Sequence, residues 1–212
     1  MKGKTVLFVG CGDLGARAGQ QLLTQGWQVA AARRNPQGLP NGFRGYAADY
    51  TRVGDLDFIA DLNPDYVVTS FTPSQRDVRG YERGFVAATE LLLKALESCS
   101  VRQLVFVSST RVYGESKGGW VDENSPLTRD DPAGQVIVRA ESMLDGADFP
   151  CLRLRFGGIY GNPQGRLLQR IASGELCPRS PISFSNRIHR VDAARSIVHC
   201  LDQAEAGMEL AY

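Results

Sequence analysis

The sequence lacks a dominant charge, because 24 lysines and arginines are balanced by 23 acidic residues among 212. A chain so close to neutral has no overall field that would attract nucleic acid or an anionic membrane. Its basic residues are also not interleaved with aromatic ones, as they are in many nucleic-acid-binding proteins. We therefore expect no nucleic-acid partner.

Metal ligands are scarce as well. The chain has two histidines, His189 and His199, and five cysteines without a CxxC pair. These are too few ligands at suitable spacing for a Cys/His metal site, so no metal is expected. The cysteines are typical of free thiols in a reducing compartment.

Long apolar runs are also missing. The first apolar run, residues 5–9, is too short for a membrane span or a signal-peptide core, and no small-residue cleavage site follows it. The sequence therefore predicts a cytoplasmic protein without membrane association.

The sequence does contain apolar runs of strand length that alternate with amphipathic segments of helix length. This alternation predicts an α/β fold with a Rossmann-type, doubly wound parallel sheet. We expect residues 1–155 to form this Rossmann-type domain and residues 156–212 a small, partial region on the substrate side. Because residues 207–212 resemble the start of a strand, that region is either reduced or truncated. The predicted strands cover residues 5–9, 28–32, 43–49, 65–69, 103–107 and 151–155, and the predicted helices cover residues 16–25, 81–98 and 136–144.

A GxGxxG motif lies between the first strand and the first helix, which is the context that gives this motif its meaning. Gly10 would permit the tight turn, Gly12 the approach of a pyrophosphate, and Gly15 the close packing of helix on strand. The intervening Asp13 and Leu14 would offer backbone N–H groups at the helix N-terminus. The motif predicts dinucleotide binding.

The end of the second strand bears on which dinucleotide is bound. NAD sites usually carry an acidic residue there, about 20 residues after the glycines, whereas this chain has Arg33 and Arg34. Two guanidinium groups suit a 2′-phosphate, so NADP(H) is expected in preference to NAD(H). The alternative is a solvated basic turn.

Three further segments resemble motifs of the extended short-chain dehydrogenase/reductases, the NAD-dependent epimerase/dehydratase family. They stand in the family's order, at residues 108–114 (SSTRVYG), 153–161 (RLRFGGIYG) and 186–192 (NRIHRVD). The resemblance implies that Asp49 lies near the adenine, and that Thr69, Ser70 and Ser108 line the cofactor.

Three residues outside the cofactor loop have further expected roles, the first by resemblance and the other two from their own surroundings in the sequence. Ser109 matches the catalytic Ser/Thr that hydrogen-bonds the reacting group, although a hydroxyl that caps a strand end is the alternative. His189 is expected to fix a loop rather than to perform chemistry, and Asp192 to cap a helix N-terminus.

The family's catalytic Tyr-Lys pair is missing at its expected place. The family reads Tyr, Lys and Glu at intervals of four, and here Glu141 is preceded by Ile137 and Ala133. Neither side chain can move a proton. A YxxxK spacing does begin at Tyr113, but two glycines follow Lys117 directly, so a helix there is not expected. Tyr113 and Tyr160 are the candidate substitute acids, and the alternative for each is a packed ring.

Two functions from different classes follow. The first is an NAD(P)(H)-dependent oxidoreductase or epimerase-like enzyme that acts on a small, sugar- or nucleotide-linked metabolite. The second is a non-catalytic NADP(H) sensor. The helix at 81–98 resembles the family's dimerisation helix, which implies a homodimer, whereas its apolar stripe shows only that one face is buried. Basic side chains in the C-terminal region could contact an acidic substrate or serve solubility, and these are Arg166, Arg170, Arg179 and Arg187.

Overall fold

The computed structural model describes residues 3–174 and 185–205, so Cys177, Arg179 and the strand predicted from residue 207 lie outside the described part. Six parallel strands form one sheet, and they are β1 Thr5–Val9, β2 Gln28–Arg33, β3 Phe43–Ala47, β4 Tyr66–Thr69, β5 Gln103–Ser109 and β6 Cys151–Phe156. Their order in the sheet is β3-β2-β1-β4-β5-β6. The predicted Rossmann-type sheet is confirmed.

Helices cover both faces of the sheet. The side chains of β1 show why: Val6 and Phe8 belong to one apolar cluster, while Leu7 and Val9 belong to the other. A strand whose alternate side chains are all buried must be covered on both sides. The helices are α1 Asp13–Thr24, α2 Phe58–Leu62, α3 Val78–Tyr81, α4 Ala88–Leu96, α5 Pro132–Met143, α6 Arg166–Ala172 and α7 Arg190–Glu205. The first cluster lies under α1 and α7, and the second under α2, α4 and α5.

The long helix predicted at residues 81–98 differs in detail from the observed one. It starts at Val78, and a π-helical segment, Glu82–Ala87, separates α3 from α4. Gly84 lies in this segment, where a Cβ atom would collide with the backbone of Thr72 and Pro73. The segment can therefore pack directly on the loop that follows β4, and π-helical turns are frequent where a helix borders a functional site.

The motifs at residues 153–161 and 186–192 are neighbours in space. Strands β7 (Gly158–Tyr160) and β8 (Arg187–His189) pair in parallel, with Tyr160 opposite His189. The prediction that Asp192 caps a helix is wrong, because α7 already begins at Arg190 and leaves Asp192 on its exposed first turn. Asp192 instead forms an ion pair of 3.6 Å with Arg195.

Two negative findings apply to residues 3–174 and 185–205. None of their helices is long and apolar enough to cross a membrane. Nowhere in these ranges do three or more His, Cys, Asp or Glu side chains gather as metal ligands would.

Candidate cofactor site

A cavity of about 1130 Å³ runs across the carboxyl ends of the strands. It extends from the end of β2, past the glycine loop and β4, to the ends of β5 and β6. Ligands of doubly wound sheets bind at this edge, where the strand order reverses on either side of β1.

The glycine loop has the geometry that the motif predicts. Gly10 has a φ of +81°, and a Cβ there would lie 2.7 Å from the carbonyl oxygen of Ser70. Gly15 faces the side chains of Phe8 and Cys11, each 3.2 Å from where a Cβ would be, so a larger residue would have to push them aside slightly for α1 to stay this close to β1. A Cβ on Gly12, in contrast, would meet no atom within 4 Å. The space at Gly12 opens into the cavity.

This loop fits a dinucleotide pyrophosphate. Helix α1 begins at Asp13, three residues earlier than predicted, so its first turn directly adjoins the loop. Gly12 precedes this turn and offers no side-chain cap, which leaves first-turn N–H groups available to an anion. Asp13 and Leu14 both line the cavity.

The cavity has a basic end at β2 and β3. Arg33 and Arg34 line it, as predicted, and so does Arg52, which the sequence reading missed. Among the described residues none of these three makes an ion pair within 4 Å. Unpaired guanidinium groups at one end of a cavity suit an anionic ligand. The position of Arg52, three residues after the predicted Asp49, was the available signal.

Asp49 lies between these arginines and accepts hydrogen bonds from the backbone and hydroxyl of Thr51, at 3.0 and 2.7 Å. Partial burial raises the pKa of the Asp49 carboxyl, but the Thr51 hydrogen bonds and the charges of Arg34 and Arg52 outweigh this and lower it. Asp49 is therefore a carboxylate at neutral pH, already fixed in place on the cavity wall.

The opposite end of the cavity, at β5 and β6, carries hydroxyl groups. Ser108 donates a hydrogen bond of 2.5 Å to the buried Glu141, so its oxygen can only accept from a ligand. Ser109 accepts from the backbone N–H of Arg111 at 3.2 Å, and its own hydroxyl proton has no acceptor among the described residues. Both serines line the cavity. Ser70 does too, whereas Thr69 is fully buried and its side chain belongs to the core.

The two candidate tyrosines lie in different cavities. Tyr160 lines the cofactor cavity, with its ring edge-on to His189 at 5.2 Å between centroids. Tyr113 lines a second cavity of about 700 Å³, and its hydroxyl accepts from Arg155 at 3.3 Å. Ser109 and Tyr113, the predicted catalytic residues, are therefore not brought together. His189 accepts from the backbone of Val191 at 3.4 Å, which is consistent with a role in fixing the loop.

Helix α5 places no proton-transfer group where the family's pair is expected. Ala133 and Ile137 are both buried, and one turn later Glu141 is bonded to Ser108 and Arg155. Tyr113 and Lys117 lie outside any helix, as predicted. Cys11 offers no substitute, because burial raises the pKa of its thiol to about 11 despite the nearby charge of Arg33.

A Rossmann-type sheet whose glycine loop opens into such a cavity defines an NAD(P)H-binding protein. In agreement, a family model described as NAD(P)H-binding matches residues 10–204. A solved structure from Methylobacillus flagellatus, provisionally assigned as an NAD-dependent epimerase/dehydratase, is 32% identical with a TM-score of 0.83, over 99% of this chain and 74% of that one. The chain belongs to the NAD-dependent epimerase/dehydratase family.

Other relatives are more distant. Protein YeeZ of Escherichia coli is 27% identical over 96% of this chain and 75% of its own length. The UDP-glucose 4-epimerase of Halalkalibacterium halodurans is 28% identical over 74% of this chain, a match that spans 52% of the epimerase. The Thermus thermophilus UDP-glucose 4-epimerase, solved in complex with NAD, is 20% identical, covers 93% of this chain and 73% of that one, and shares the fold with a TM-score of 0.78.

Proposed function

We propose that this protein is an NADP(H)-dependent oxidoreductase or epimerase-like enzyme acting on a small, sugar- or nucleotide-linked metabolite. The observation that carries the proposal is the polarity of one cavity, which has unpaired arginines at its β2 end and hydroxyl groups at its β5 and β6 end. UDP-sugar epimerases among the relatives support a metabolite of this class.

The basic end supports NADP(H) over NAD(H). Arg33 and Arg34 stand where an NAD site usually has an acidic residue for the ribose hydroxyls. A guanidinium fork matches phosphate geometry. Arg33, Arg34 and Arg52 bring three positive charges to this end of the cavity, against the one negative charge of Asp49 beside them. The 2′-phosphate would thus meet a net positive environment.

The hydroxyl end supports proton handling at a substrate oxygen. Nicotinamide, when bound, supplies hydride chemistry. Ser109 can donate its proton to a substrate carbonyl, while Ser108, held by Glu141, can accept from a substrate hydroxyl. Tyr160 shares this cavity and is the candidate acid, in place of the tyrosine that α5 lacks. Residues 157–162, which follow β6, are proposed as part of the substrate side.

A second candidate function is an NADP(H) sensor without turnover. It is favoured by Ala133 and Ile137, which are buried in the core at the positions of the family's catalytic pair. This alternative shares the cofactor site with the enzyme and differs only at the hydroxyl end, so a substrate screen separates the two.

Calorimetric titration with NADPH and NADH tests the cofactor proposal. The Arg33→Ala and Arg34→Ala variants should each bind NADPH about 10- to 100-fold more weakly, the usual cost of a lost charge-assisted hydrogen bond, and leave NADH binding unchanged. Arg44→Ala on β3 is the matched control, since this exposed arginine does not line the cavity. Equal affinity of the wild type for both nucleotides would refute the NADP(H) preference.

Turnover is tested next, by following NADPH absorbance with sugar nucleotides and related carbonyl compounds. Tyr160→Phe and Ser109→Ala should each lower kcat with nucleotide binding intact. Absence of turnover with every compound, despite tight NADPH binding, would favour the sensor.

A further inference from the structure

We infer that Arg190 is a cofactor-binding residue that donates hydrogen bonds to the pyrophosphate of the dinucleotide. This inference rests on the proposed function only in that a dinucleotide occupies the cavity. Arg190 is the first residue of α7 and follows β8 directly. It lies 178 positions after Gly12 in the numbering of the chain, yet it lines the same cavity as the glycine loop.

The fold brings Arg190 to the loop through the packing of α7 on α1. These helices lie side by side on one face of the sheet and share its apolar cluster through side chains such as Ala18 and Ala194. The N-terminus of α7 is thereby placed beside that of α1. Arg190 reaches Asp13 there, with 3.4 Å between Nη1 and Oδ1.

The guanidinium of Arg190 is held in place, but few of its hydrogen-bond donors have a partner among the described residues. Its side chain is 19% exposed, against 50% for Asp13. Its Nε is buried and has no hydrogen-bond partner among the described residues. Buried polar groups nearly always have partners, because an unmet one costs free energy. An arginine in this state on a cavity wall is suited to an anion that arrives from the cavity.

The charges around the loop support the same conclusion. Asp13 would repel a pyrophosphate that approaches Gly12, since it is a carboxylate on the first turn of α1. Arg17 already grips both of its oxygens at 3.1 Å. Arg190 then adds a second positive charge, so Asp13, Arg17 and Arg190 together carry a net charge of +1. Arg17 does not line the cavity, which leaves Arg190 to meet the ligand.

Ligands that do or do not contain the pyrophosphate test this inference. We would titrate the wild-type protein and Arg190→Met, which keeps much of the apolar stem, with NADPH, NADH, ADP-ribose and adenosine 2′-monophosphate. The first three contain the pyrophosphate and the last does not. Arg190→Met should weaken the first three by a similar factor, about 10- to 100-fold, and leave the last unchanged. Arg195→Met, on the same helix but outside the cofactor cavity, should change none of them.

The outcomes separate this inference from the proposed function. Loss confined to NADPH would place Arg190 at the 2′-phosphate instead, and unchanged binding of ADP-ribose would remove it from the site; either result overturns the inference. Failure of the wild type to bind any dinucleotide would refute the cofactor site itself. If thermal unfolding shows that Arg190→Met is not folded, Arg190→Lys replaces it, because lysine keeps the positive charge but lacks the guanidinium fork. Arg190→Lys should lower the affinity for the same three ligands by a smaller factor. An unchanged Arg190→Lys would overturn the inference.

Discussion

Replacement of Glu141 by alanine should lower the free energy of unfolding by about 3–5 kcal/mol, the usual cost of leaving one partner of a buried ion pair behind. Glu141 is 2% exposed and holds Arg155 through both carboxylate oxygens, at 3.1 and 3.2 Å from Nε and 2.7 Å from Nη2. Its removal leaves the guanidinium of Arg155 and the hydroxyl of Ser108 without their buried partner. Urea denaturation followed by circular dichroism measures the change.

Asp145 provides the matched control. It pairs with Arg153, which lies on β6 as Arg155 does, but the side chain of Asp145 is 70% exposed. Asp145→Ala should cost less than about 1 kcal/mol, as exposed ion pairs do. The double variant Glu141→Met/Arg155→Met should recover much of the loss, since it removes both buried charges at once. A Glu141→Ala variant as stable as Asp145→Ala would contradict the importance of this buried pair.

Gly10→Ala and Gly12→Ala should differ in whether they lose stability as well as nucleotide binding. At Gly10 the positive φ alone costs about 1–3 kcal/mol for alanine, and the Cβ would also lie 2.7 Å from the Ser70 backbone oxygen. Gly10→Ala should therefore lose both stability and nucleotide binding. Gly12 has a φ of −95°, which any residue adopts, and its Cβ would meet nothing within 4 Å. Gly12→Ala should fold normally and lose nucleotide binding alone.

Thermal unfolding and NADPH titration of the two variants check this pair of expectations. Gly26→Ala is a useful third variant, because it has a positive φ and open space but lies far from the cavity, so it should lose stability alone. Unimpaired NADPH binding by Gly12→Ala would show that the pyrophosphate does not pass over this glycine.

The sequence was sufficient to predict most of the fold. Buried strands can be recognised in the sequence as short apolar runs. The runs at residues 5–9, 28–32 and 151–155 all lie within observed strands. The π-helical segment was not predicted, and no local pattern points to the contact that Gly84 makes in it with a loop twelve residues earlier. The β7–β8 pair was missed for a similar reason: parallel pairing of two three-residue strands depends on tertiary contacts rather than on local pattern.

The site divides in the same way. Gly10, Gly12, Arg33 and Arg34 follow local sequence patterns, so their positions at the cavity could be predicted. Arg190 and Arg52 could not, because only the packed chain shows that they share a cavity with the loop. Tyr113 was a candidate acid in the same segment as Ser109, but its side chain lines the second cavity instead of the cofactor cavity.

The packing of α5 also bears on how readily this protein could be redesigned to carry a Tyr-Lys pair. Ala133 and Ile137 are 8% and 2% exposed, and Ile137 belongs to the apolar cluster beneath α4 and α5. A tyrosine at 133 would add a ring at a buried position, and a lysine at 137 would bury an ammonium among hydrocarbon side chains. Each of these two substitutions would lower the free energy of unfolding before the pair is complete. Installing the pair therefore requires compensating changes in the core, and a proton-transfer group is more easily introduced at a position that lines the cavity.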